Sequence, residues 1–271
     1  MKALNLLDGP LYYDESGNGP ALLLLHAGVA DSRMWDAQVA PLAEQFQVIR
    51  CDLRGHGRSP LPDGLFAYHD DVRLLLDALA SERVWLVGAS FGARVAVDLC
   101  LAYPERVKGM ILVSAAISGW EPSGEVELFS EQEDALLGAG KLAEAVQLNV
   151  EMWVDGPYRS SDGVDPALRS KVAEMQARNF AQPFPPNVAL RALDPPAIER
   201  LMEIRVPLLV VSGALDVAAF RELSETIAAQ VPNARHVVIP KAAHLPSMEA
   251  PALFNELVAE FISAHEQRSF A

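Results

Sequence analysis

Hydrophobic positions along the chain follow two alternating patterns, short continuous apolar runs and longer stretches with helical spacing. The short runs are rich in Val, Ile and Leu, as in strands that are covered on both faces of a sheet. In the longer stretches, such as 72–79, apolar residues recur every three to four positions. The alternation predicts an α/β fold, a mostly parallel sheet flanked by helices. The predicted strands span 21–26, 47–52, 84–88, 110–114, 207–212 and 236–239.

The two ends of the chain have patterns of their own. An antiparallel hairpin at the sheet edge is predicted from Leu11-Tyr12-Tyr13-Asp14, which the polar and glycine-rich residues 15–19 follow. After Pro251 an apolar stripe predicts a long closing helix, because proline is favoured in the first turn of a helix.

Strand patterns stop between residues 117 and 200, where helical patterns and turns with proline or glycine continue. We therefore predict a core formed by 1–116 and 201–271 and an inserted helical cap formed by 117–200. The cap holds 14 Asp and Glu against 7 Lys and Arg, half of the net charge of −14. Most of its apolar stripes are expected to pack within the cap. The candidates for lining a substrate pocket are Met152, Trp153 and Phe180.

Composition excludes several classes of partner. A net charge of −14 and a pI near 4.8 argue against nucleic acid and anionic membranes, which require a basic surface. No apolar run reaches the roughly 18 residues of a membrane-spanning helix. The first residues are too polar for a signal peptide, so a cytoplasmic location is expected. Cys51 and Cys100 are the only cysteines and lack metal-ligand spacing, so no metal or cofactor is expected. The sequence gives no basis for predicting the oligomeric state.

One short motif lies between a predicted strand and a predicted helix. It is Gly88-Ala89-Ser90-Phe91-Gly92, a G-x-S-x-G sequence preceded by the apolar run 84–87 and followed by the helical pattern 93–99. Such a motif is typical of a nucleophile elbow, a tight turn that exposes the serine hydroxyl and leaves space only for glycine on either side. Ser90 is therefore the predicted nucleophile, beside a helix N-terminus that favours negative charge.

A serine nucleophile needs a histidine base and an acid that orients it, and after an elbow the acid precedes the histidine in the chain. Of the six histidines, only His244 occupies a loop after the last predicted strand, at the sheet edge that presents Ser90. Asp216 follows the strand 207–212 and is the predicted acid. Asp98 and Asp194 remain alternatives, and Asp216 has the alternative role of capping a helix that begins near residue 218.

An oxyanion intermediate also needs two backbone N–H donors. Phe91, directly after the nucleophile, is predicted to provide one of them. The second is expected from the loop after the first core strand, where Gly28 is the predicted donor and Ala27 and Val29 are alternatives.

Together these motifs resemble the α/β-hydrolase superfamily, in particular capped members such as 3-oxoadipate enol-lactonases, carboxylesterases, cofactor-free haloperoxidases and carbon–carbon bond hydrolases. Ala27 departs from the glycine that is usual there, and Phe91 stands where Met or Trp is common. Ser90 disfavours the relatives that have Asp as nucleophile, the haloalkane dehalogenases and epoxide hydrolases. The matching segments are His26-Ala27-Gly28, Asp52-Leu53-Arg54-Gly55-His56-Gly57-Arg58-Ser59, the elbow, Ile204-Arg205-Val206-Pro207 leading to Gly213-Ala214-Leu215-Asp216, and Ala242-Ala243-His244.

From these residues we expect a serine hydrolase that cleaves a small carboxylic ester or lactone through an acylated Ser90. The resemblance implies two alternatives on the same triad, an enol-lactonase-like role or carbon–carbon bond hydrolysis in aromatic catabolism. The scarcity of cations in the cap favours a neutral ester. A ligand receptor that keeps the triad and signals through cap movement is an alternative from another class.

Overall fold

A sheet of eight strands forms the centre of the computed structural model, which describes residues 1–267. These residues form ten strands, two of them outside this sheet: β1 (Lys2–Leu6), β2 (Gly9–Ser16), β3 (Ala21–Leu25), β4 (Gln47–Cys51), β5 (Leu65–Phe66), β6 (Val84–Ala89), β7 (Val107–Val113), β8 (Ala189–Leu190), β9 (Leu208–Gly213) and β10 (Ala234–Ile239). The order in the large sheet is β1-β2-β4-β3-β6-β7-β9-β10.

Six neighbouring strands of this sheet, from β4 to β10 in its order, run parallel, and the helices connect them. The predicted mostly parallel sheet flanked by helices is therefore confirmed. The helices are α1 (Asp36–Leu42), α2 (Tyr68–Ala78), α3 (Phe91–Ala102), α4 (Glu125–Gly138), α5 (Leu142–Val150), α6 (Pro166–Phe180), α7 (Ala218–Gln230), α8 (Pro246–Glu249) and α9 (Pro251–Glu266).

The antiparallel edge differs from the sequence prediction. A hairpin does form there, but it joins β1 to β2 through Leu7 and Asp8, and β2 also pairs antiparallel with β4. The glycine-rich residues 15–19, predicted as the hairpin turn, instead end β2 and lead into β3. The prediction missed β1 because its sequence, KALNL, is short and largely exposed.

Alternating side chains of each central strand enter one of two apolar layers. In β3, Leu23 and Leu25 pack on the side of α2 and α3, whereas Leu22 and Leu24 pack on the side of α9. All four are fully buried. Burying both faces explains why these strands are continuous apolar runs in the sequence.

Helices α4, α5 and α6 lie in the chain between β7 and β9, in the region predicted as the cap. A π-helical turn at Glu151–Asp155 extends α5, and the short strand β8 pairs in parallel with β5 of the preceding core segment. The boundaries 117–200 for a separate cap unit stay a prediction. Within residues 1–267, no helix combines the length and the apolar character that crossing a membrane requires.

Candidate active site

Ser90 lies at the sharp turn between β6 and α3. Its backbone has φ 48° and ψ −109°, a conformation that a residue with a side chain rarely adopts. The turn is held by the Ser90 N–H, which donates to the carbonyl of Val113 in β7 (2.8 Å), and by the Ser90 carbonyl, which accepts from Ala116 (3.2 Å). Strain at a held turn is typical of functional positions.

The glycines on either side of this turn sit where a side chain would collide with backbone. A Cβ on Gly92 would lie 2.2 Å from the carbonyl oxygen of Leu25, and one on Gly88 would lie 2.5 Å from the carbonyl oxygen of Gly92. Helix α3 therefore packs closely against β3 and β6. This close packing sets the position of the serine above the sheet.

His244 and Asp216 form a buried pair at the same edge of the sheet. Nδ1 of His244 lies 2.9 Å and 3.1 Å from the two carboxylate oxygens of Asp216. Because a carboxylate accepts, Nδ1 carries the proton and Nε2 presents a lone pair. Asp216 does not cap α7 with its side chain; its carboxylate accepts from the N–H of Val217 (2.8 Å) within its own loop.

The alternatives for the acid lie elsewhere. Asp98 accepts a hydrogen bond from Ser118 (2.6 Å) within the packing around α3, and burial raises the pKa of its carboxyl group. Asp194 is exposed in the loop before residue 195. The structure brings only Asp216 of the three to His244.

The two loops that hold the pair touch backbone to backbone. A Cβ on Gly213, the last residue of β9, would lie 2.0 Å from the carbonyl oxygen of Ala243. The N–H of Leu215 donates to the carbonyl of Ala242 (2.9 Å), which ties the loop of the acid to the loop of the histidine. Gly213 is therefore needed for the close approach that positions His244.

A half-buried ion pair supports the histidine loop from the other side. Arg159 pairs with Glu249 and donates to the carbonyl of Lys241 (3.1 Å). Glu249 also accepts from the N–H of Ala243 (2.9 Å), next to the histidine. Burial raises the pKa of Glu249, and Arg159 opposes that rise. The sequence does not reveal this pair, because Arg159 and Glu249 are 90 residues apart.

Two residues whose backbone N–H groups are free line the site, Gly28 in the loop after β3 and Phe91 at the start of α3. Within residues 1–267 neither Gly28 nor Phe91 donates a backbone hydrogen bond. Phe91 begins α3, where N–H groups have no partner in the helix. Of the alternatives, Ala27 is engaged, because its N–H donates to the sulfur of Met34 (3.2 Å); the N–H of Val29 donates no hydrogen bond within the same residues.

His26 orients the peptide that carries the Gly28 N–H. Its Nε2 accepts from the N–H of Leu53 (2.9 Å), so its Nδ1 carries the proton and donates to the carbonyl of Ala27 (2.8 Å). Because a trans peptide directs its C=O and N–H oppositely, the Gly28 N–H faces away from His26. Burial lowers the pKa of His26 to about 4, which keeps the ring neutral.

A cavity of about 300 Å³ joins these groups. Ser90, His244 and Trp153 line it together, and the rings of Trp153 and Phe220 lie 4.6 Å and 4.5 Å from the His244 ring. The aromatic contacts hold the imidazole and exclude water from one side of it. The complete lining is Gly28, Val29, Ser90, Phe91, Arg94, Ala116, Phe129, Glu133, Asn149, Trp153, Gln176 and His244.

The three predicted pocket residues have different surroundings. Only Trp153 lines the cavity of Ser90, whereas Phe180 lines a neighbouring cavity. Met152 requires correction: it packs with Val126 and Phe220 and lines a separate surface cavity. Met152 and Trp153 are consecutive residues of the π-helical turn, so their side chains leave it in different directions, and only that of Trp153 reaches the cavity of Ser90.

Polar residues of the cap that sequence reasoning missed form a hydrogen-bonded chain that ends in the cavity. The Gly57 N–H donates to Asn179 (3.0 Å), which donates to Gln176 (3.3 Å); Gln176 in turn donates to Asn149 (3.3 Å), and Asn149 donates to Glu133. Burial raises the pKa of Glu133. Glu133 lies on α4, Asn149 on α5, and Gln176 and Asn179 one turn apart on α6, so the packing of these three helices brings the four side chains together.

Arg94, one turn after the nucleophile, also lines the cavity and was missed. Its guanidinium makes no hydrogen bond or ion pair within residues 1–267. Its charge partly offsets the rise that burial causes in the pKa of Asp98, four residues further along α3. A cation without a partner in a cavity is a candidate for contact with an anionic group.

Comparison with known proteins identifies the family. The sequence profile described as alpha/beta hydrolase fold matches residues 20–251. The chain belongs to the α/β-hydrolase family. Its fold class was therefore predicted correctly from the motifs around Ser90, and as a member of this family the chain is an enzyme.

Relatives of this α/β hydrolase are similar over nearly their whole length. The chain is 31% identical over 266 residues to a pimeloyl-[acyl-carrier protein] methyl ester esterase of Pectobacterium carotovorum, covering 94% of this chain and 99% of the relative. It is 26% identical to 3-oxoadipate enol-lactonase 1 of Acinetobacter baylyi, with 91% and 90% covered. A solved hydrolase from Pseudomonas aeruginosa PA01 has a TM-score of 0.79 at 30% identity, with 96% and 97% covered.

Proposed function

We propose that this α/β hydrolase cleaves a small carboxylic ester or lactone through an acyl-enzyme intermediate on Ser90. One observation carries the proposal: Ser90 and the Asp216-paired His244 line the same cavity as the free N–H groups of Gly28 and Phe91. Nucleophile, base, orienting acid and oxyanion donors are the four parts that acyl transfer to serine requires.

Acylation begins when Ser90 Oγ attacks the carbonyl carbon and His244 Nε2 takes the hydroxyl proton. Gly28 and Phe91 donate to the oxyanion, where removal of one such donor typically costs about 10²–10³ in kcat. Asp216 stabilises the imidazolium. The tetrahedral intermediate then expels the alkoxide, which leaves as the alcohol with the proton from His244. In a lactone, this alcohol stays attached to the acyl group.

Deacylation repeats the same steps with water as the nucleophile. His244 Nε2 takes a proton from water as its oxygen attacks the acyl carbon, and the same two N–H groups stabilise the oxyanion. Collapse returns the proton to Ser90 Oγ and releases the carboxylic acid. The names of the similar proteins, a methyl ester esterase and an enol-lactonase, support this reaction class.

The proposal is tested by hydrolysis of p-nitrophenyl acetate by the wild type and by Ser90→Ala and His244→Ala variants. We expect turnover by the wild type and a loss of at least about 10⁴-fold in each variant. Ser130→Ala, which changes an exposed serine of α4, is the matched control and is expected to keep full activity. Binding of esters without turnover would favour the receptor, and cleavage of β-diketones alone would favour the carbon–carbon bond hydrolases.

A second candidate is hydrolysis of a carboxylated ester or lactone, as by an enol-lactonase. Arg94 favours it, because an unpaired guanidinium in the cavity of Ser90 offers two parallel donors to a carboxylate. A neutral substrate was expected because the cap has few cations, whereas Arg94 belongs to α3, outside the cap.

A carboxylated lactone and its carboxamide analogue distinguish the two candidates. If the enzyme acts on carboxylated substrates, kcat/KM of the wild type is higher for the acid than for the carboxamide. Arg94→Gln then lowers kcat/KM for the acid to the value for the carboxamide, and kcat/KM for the carboxamide does not change. Arg191→Gln, which changes an exposed cap arginine, is the control. Equal values of kcat/KM for acid and carboxamide in the wild type would leave only the neutral ester.

A further inference from the structure

The cavity of Ser90 contains one carboxylate that the catalytic steps do not use, that of Glu133 on α4. Within residues 1–267, Glu133 is the only Asp or Glu that lines this cavity, and Arg94 is the only Lys or Arg. The two side chains form no ion pair with each other or with any other of these residues. The negative charge of Glu133 is therefore left for a ligand to meet.

Asn149 fixes one oxygen of this carboxylate as a hydrogen-bond acceptor. Its amide nitrogen donates to the carbonyl of Ala145 (2.9 Å) and to Oε1 of Glu133, and its amide oxygen accepts from Gln176 (3.3 Å). Because both ends of the amide are assigned, Asn149 can only donate to Glu133. The other oxygen, Oε2, is accessible and makes no hydrogen bond within residues 1–267.

The surroundings of Glu133 disfavour its negative charge. Burial and the neighbouring Asp134 raise the pKa of Glu133, and within the described part of the chain only the hydrogen bond from Asn149 opposes this rise. A half-buried carboxylate without a cation costs free energy, and a cation bound beside it would remove that cost. Such a charge in a cleft is typical of a binding site.

Two aromatic rings line the cavity together with Glu133 and Asn149. Phe129 lies four residues before Glu133, so the two side chains share one face of α4. Trp153 meets the ring of Phe129 edge to face, with the ring centroids 5.0 Å apart. The faces of aromatic rings carry partial negative charge and attract cations. We call Phe129, Glu133, Asn149 and Trp153, which all line the cavity, the anionic wall.

An ammonium group fits the anionic wall better than other polar groups do. It gains charge attraction from Glu133 Oε2 and cation–π attraction from the ring faces. A hydroxyl group would gain only a hydrogen bond, and a carboxylate would be repelled. The cavity has a volume of about 300 Å³, so the group must be compact and close to the ester carbonyl.

Resting on the proposed esterase function, we propose that the substrate is an ester or lactone that carries a compact ammonium group, which binds to Glu133. Glu133 is thus a specificity-determining residue, and the rings of Phe129 and Trp153 strengthen the selection. A carboxylate on the same substrate, as in the second candidate function, would meet Arg94 on α3.

The test compares kcat/KM of the wild type for two pairs of esters that have the same shape and differ in charge. The first pair is acetylcholine and the analogue in which a tert-butyl group replaces the trimethylammonium group of the alcohol. The second pair makes the same replacement in the acyl group of p-nitrophenyl γ-trimethylammoniobutanoate. In at least one pair we expect the cationic ester to be favoured by about tenfold or more.

Two variants assign this preference to the anionic wall. Glu133→Gln keeps an acceptor for Asn149 and removes the charge, so the ratio of kcat/KM for the cationic ester to that for the neutral one is expected to fall about tenfold. Phe129→Leu removes a ring face and is expected to lower the same ratio about threefold. The control is Glu131→Gln, which removes a charge from an exposed position of the same helix and is expected to keep the ratio. Because each value is a ratio within one preparation, a loss of folded protein does not change it.

The outcomes separate the ammonium site from the proposed function. Similar kcat/KM for both esters of each pair, or a preference for the neutral esters, overturns the ammonium site and leaves the esterase intact. A preference for the cationic ester that Glu133→Gln does not lower overturns the role of Glu133. Hydrolysis of none of the four esters overturns the proposed function and, with it, this substrate class.

Discussion

The strained backbone of Ser90 predicts that two variants which are equally inactive differ in stability. With φ 48° and ψ −109°, Ser90 occupies a region that is accessible almost only to glycine. A residue with a Cβ held there costs roughly 1–3 kcal/mol. Replacing Ser90 by glycine removes that cost, whereas replacing it by alanine keeps it, and both replacements remove the same hydroxyl.

The expected difference between these two variants follows from two opposing contributions. Glycine releases the strain but loses about 0.5–1 kcal/mol to the greater freedom of the unfolded chain. The Ser90→Gly variant should therefore be more stable than Ser90→Ala by about 1 kcal/mol, although neither variant hydrolyses esters. In a chain of this size, 1 kcal/mol corresponds to about 2–4 °C in Tm.

Urea denaturation of the two variants measures this difference in the free energy of unfolding. Ser130 provides the matched pair, because it lies inside α4, where glycine is about 1 kcal/mol less favourable than alanine. At Ser130 the order of stability is thus expected to reverse. Equal stability of Ser90→Gly and Ser90→Ala, or a more stable alanine variant, would refute the argument that the elbow stores strain.

Three further predictions concern the acid, the buried histidines and the packing of the elbow. Asp216→Asn should lower kcat for p-nitrophenyl acetate by about 10⁴-fold, because an amide does not select the required tautomer of its histidine partner; a loss under tenfold would contradict this role. The pKa values of His26 and His56 are about 4 in the fold and about 6.5 unfolded, so each contributes stability that is complete above pH 6.5 and is lost as pH falls towards 4. Urea denaturation should show a loss of roughly 2 kcal/mol for each between pH 7 and pH 5, and unchanged stability would contradict it. Gly92→Ala should destabilise the fold by about 3 kcal/mol, since its Cβ would lie 2.2 Å from the last carbonyl of β3, whereas Gly138→Ala, with open space around it, should not; equal stability of these two variants by thermal denaturation would contradict the close packing.

Features that depend on neighbouring residues in the chain were predictable from the sequence. The elbow strand β6 and the positions of Asp216 and His244 after consecutive strands follow from local apolar runs and chain order. Parallel strands end at one edge of the sheet, so residues at those ends converge even though they are far apart in the chain.

Features that depend on distant contacts were not predictable. The hydrogen-bonded chain that ends at Glu133 joins residues up to 122 positions apart, and its polar side chains come from three different helices, α4, α5 and α6. Trp153 reaches the cavity and Met152 does not because of the direction of a single helical turn. The edge strand β1 was missed because it has only five residues, most of them exposed, and its sequence therefore contains no continuous apolar run.

Capture of the acyl-enzyme is the decisive experiment for catalysis by Ser90. The protein is mixed with excess p-nitrophenyl acetate and quenched in acid within the first turnover, and its mass is measured intact and after proteolysis. We expect a gain of one acetyl group, located on Ser90 and absent from the Ser90→Ala variant. Release of p-nitrophenol with no covalent adduct, or with the acetyl group on another residue, would contradict it.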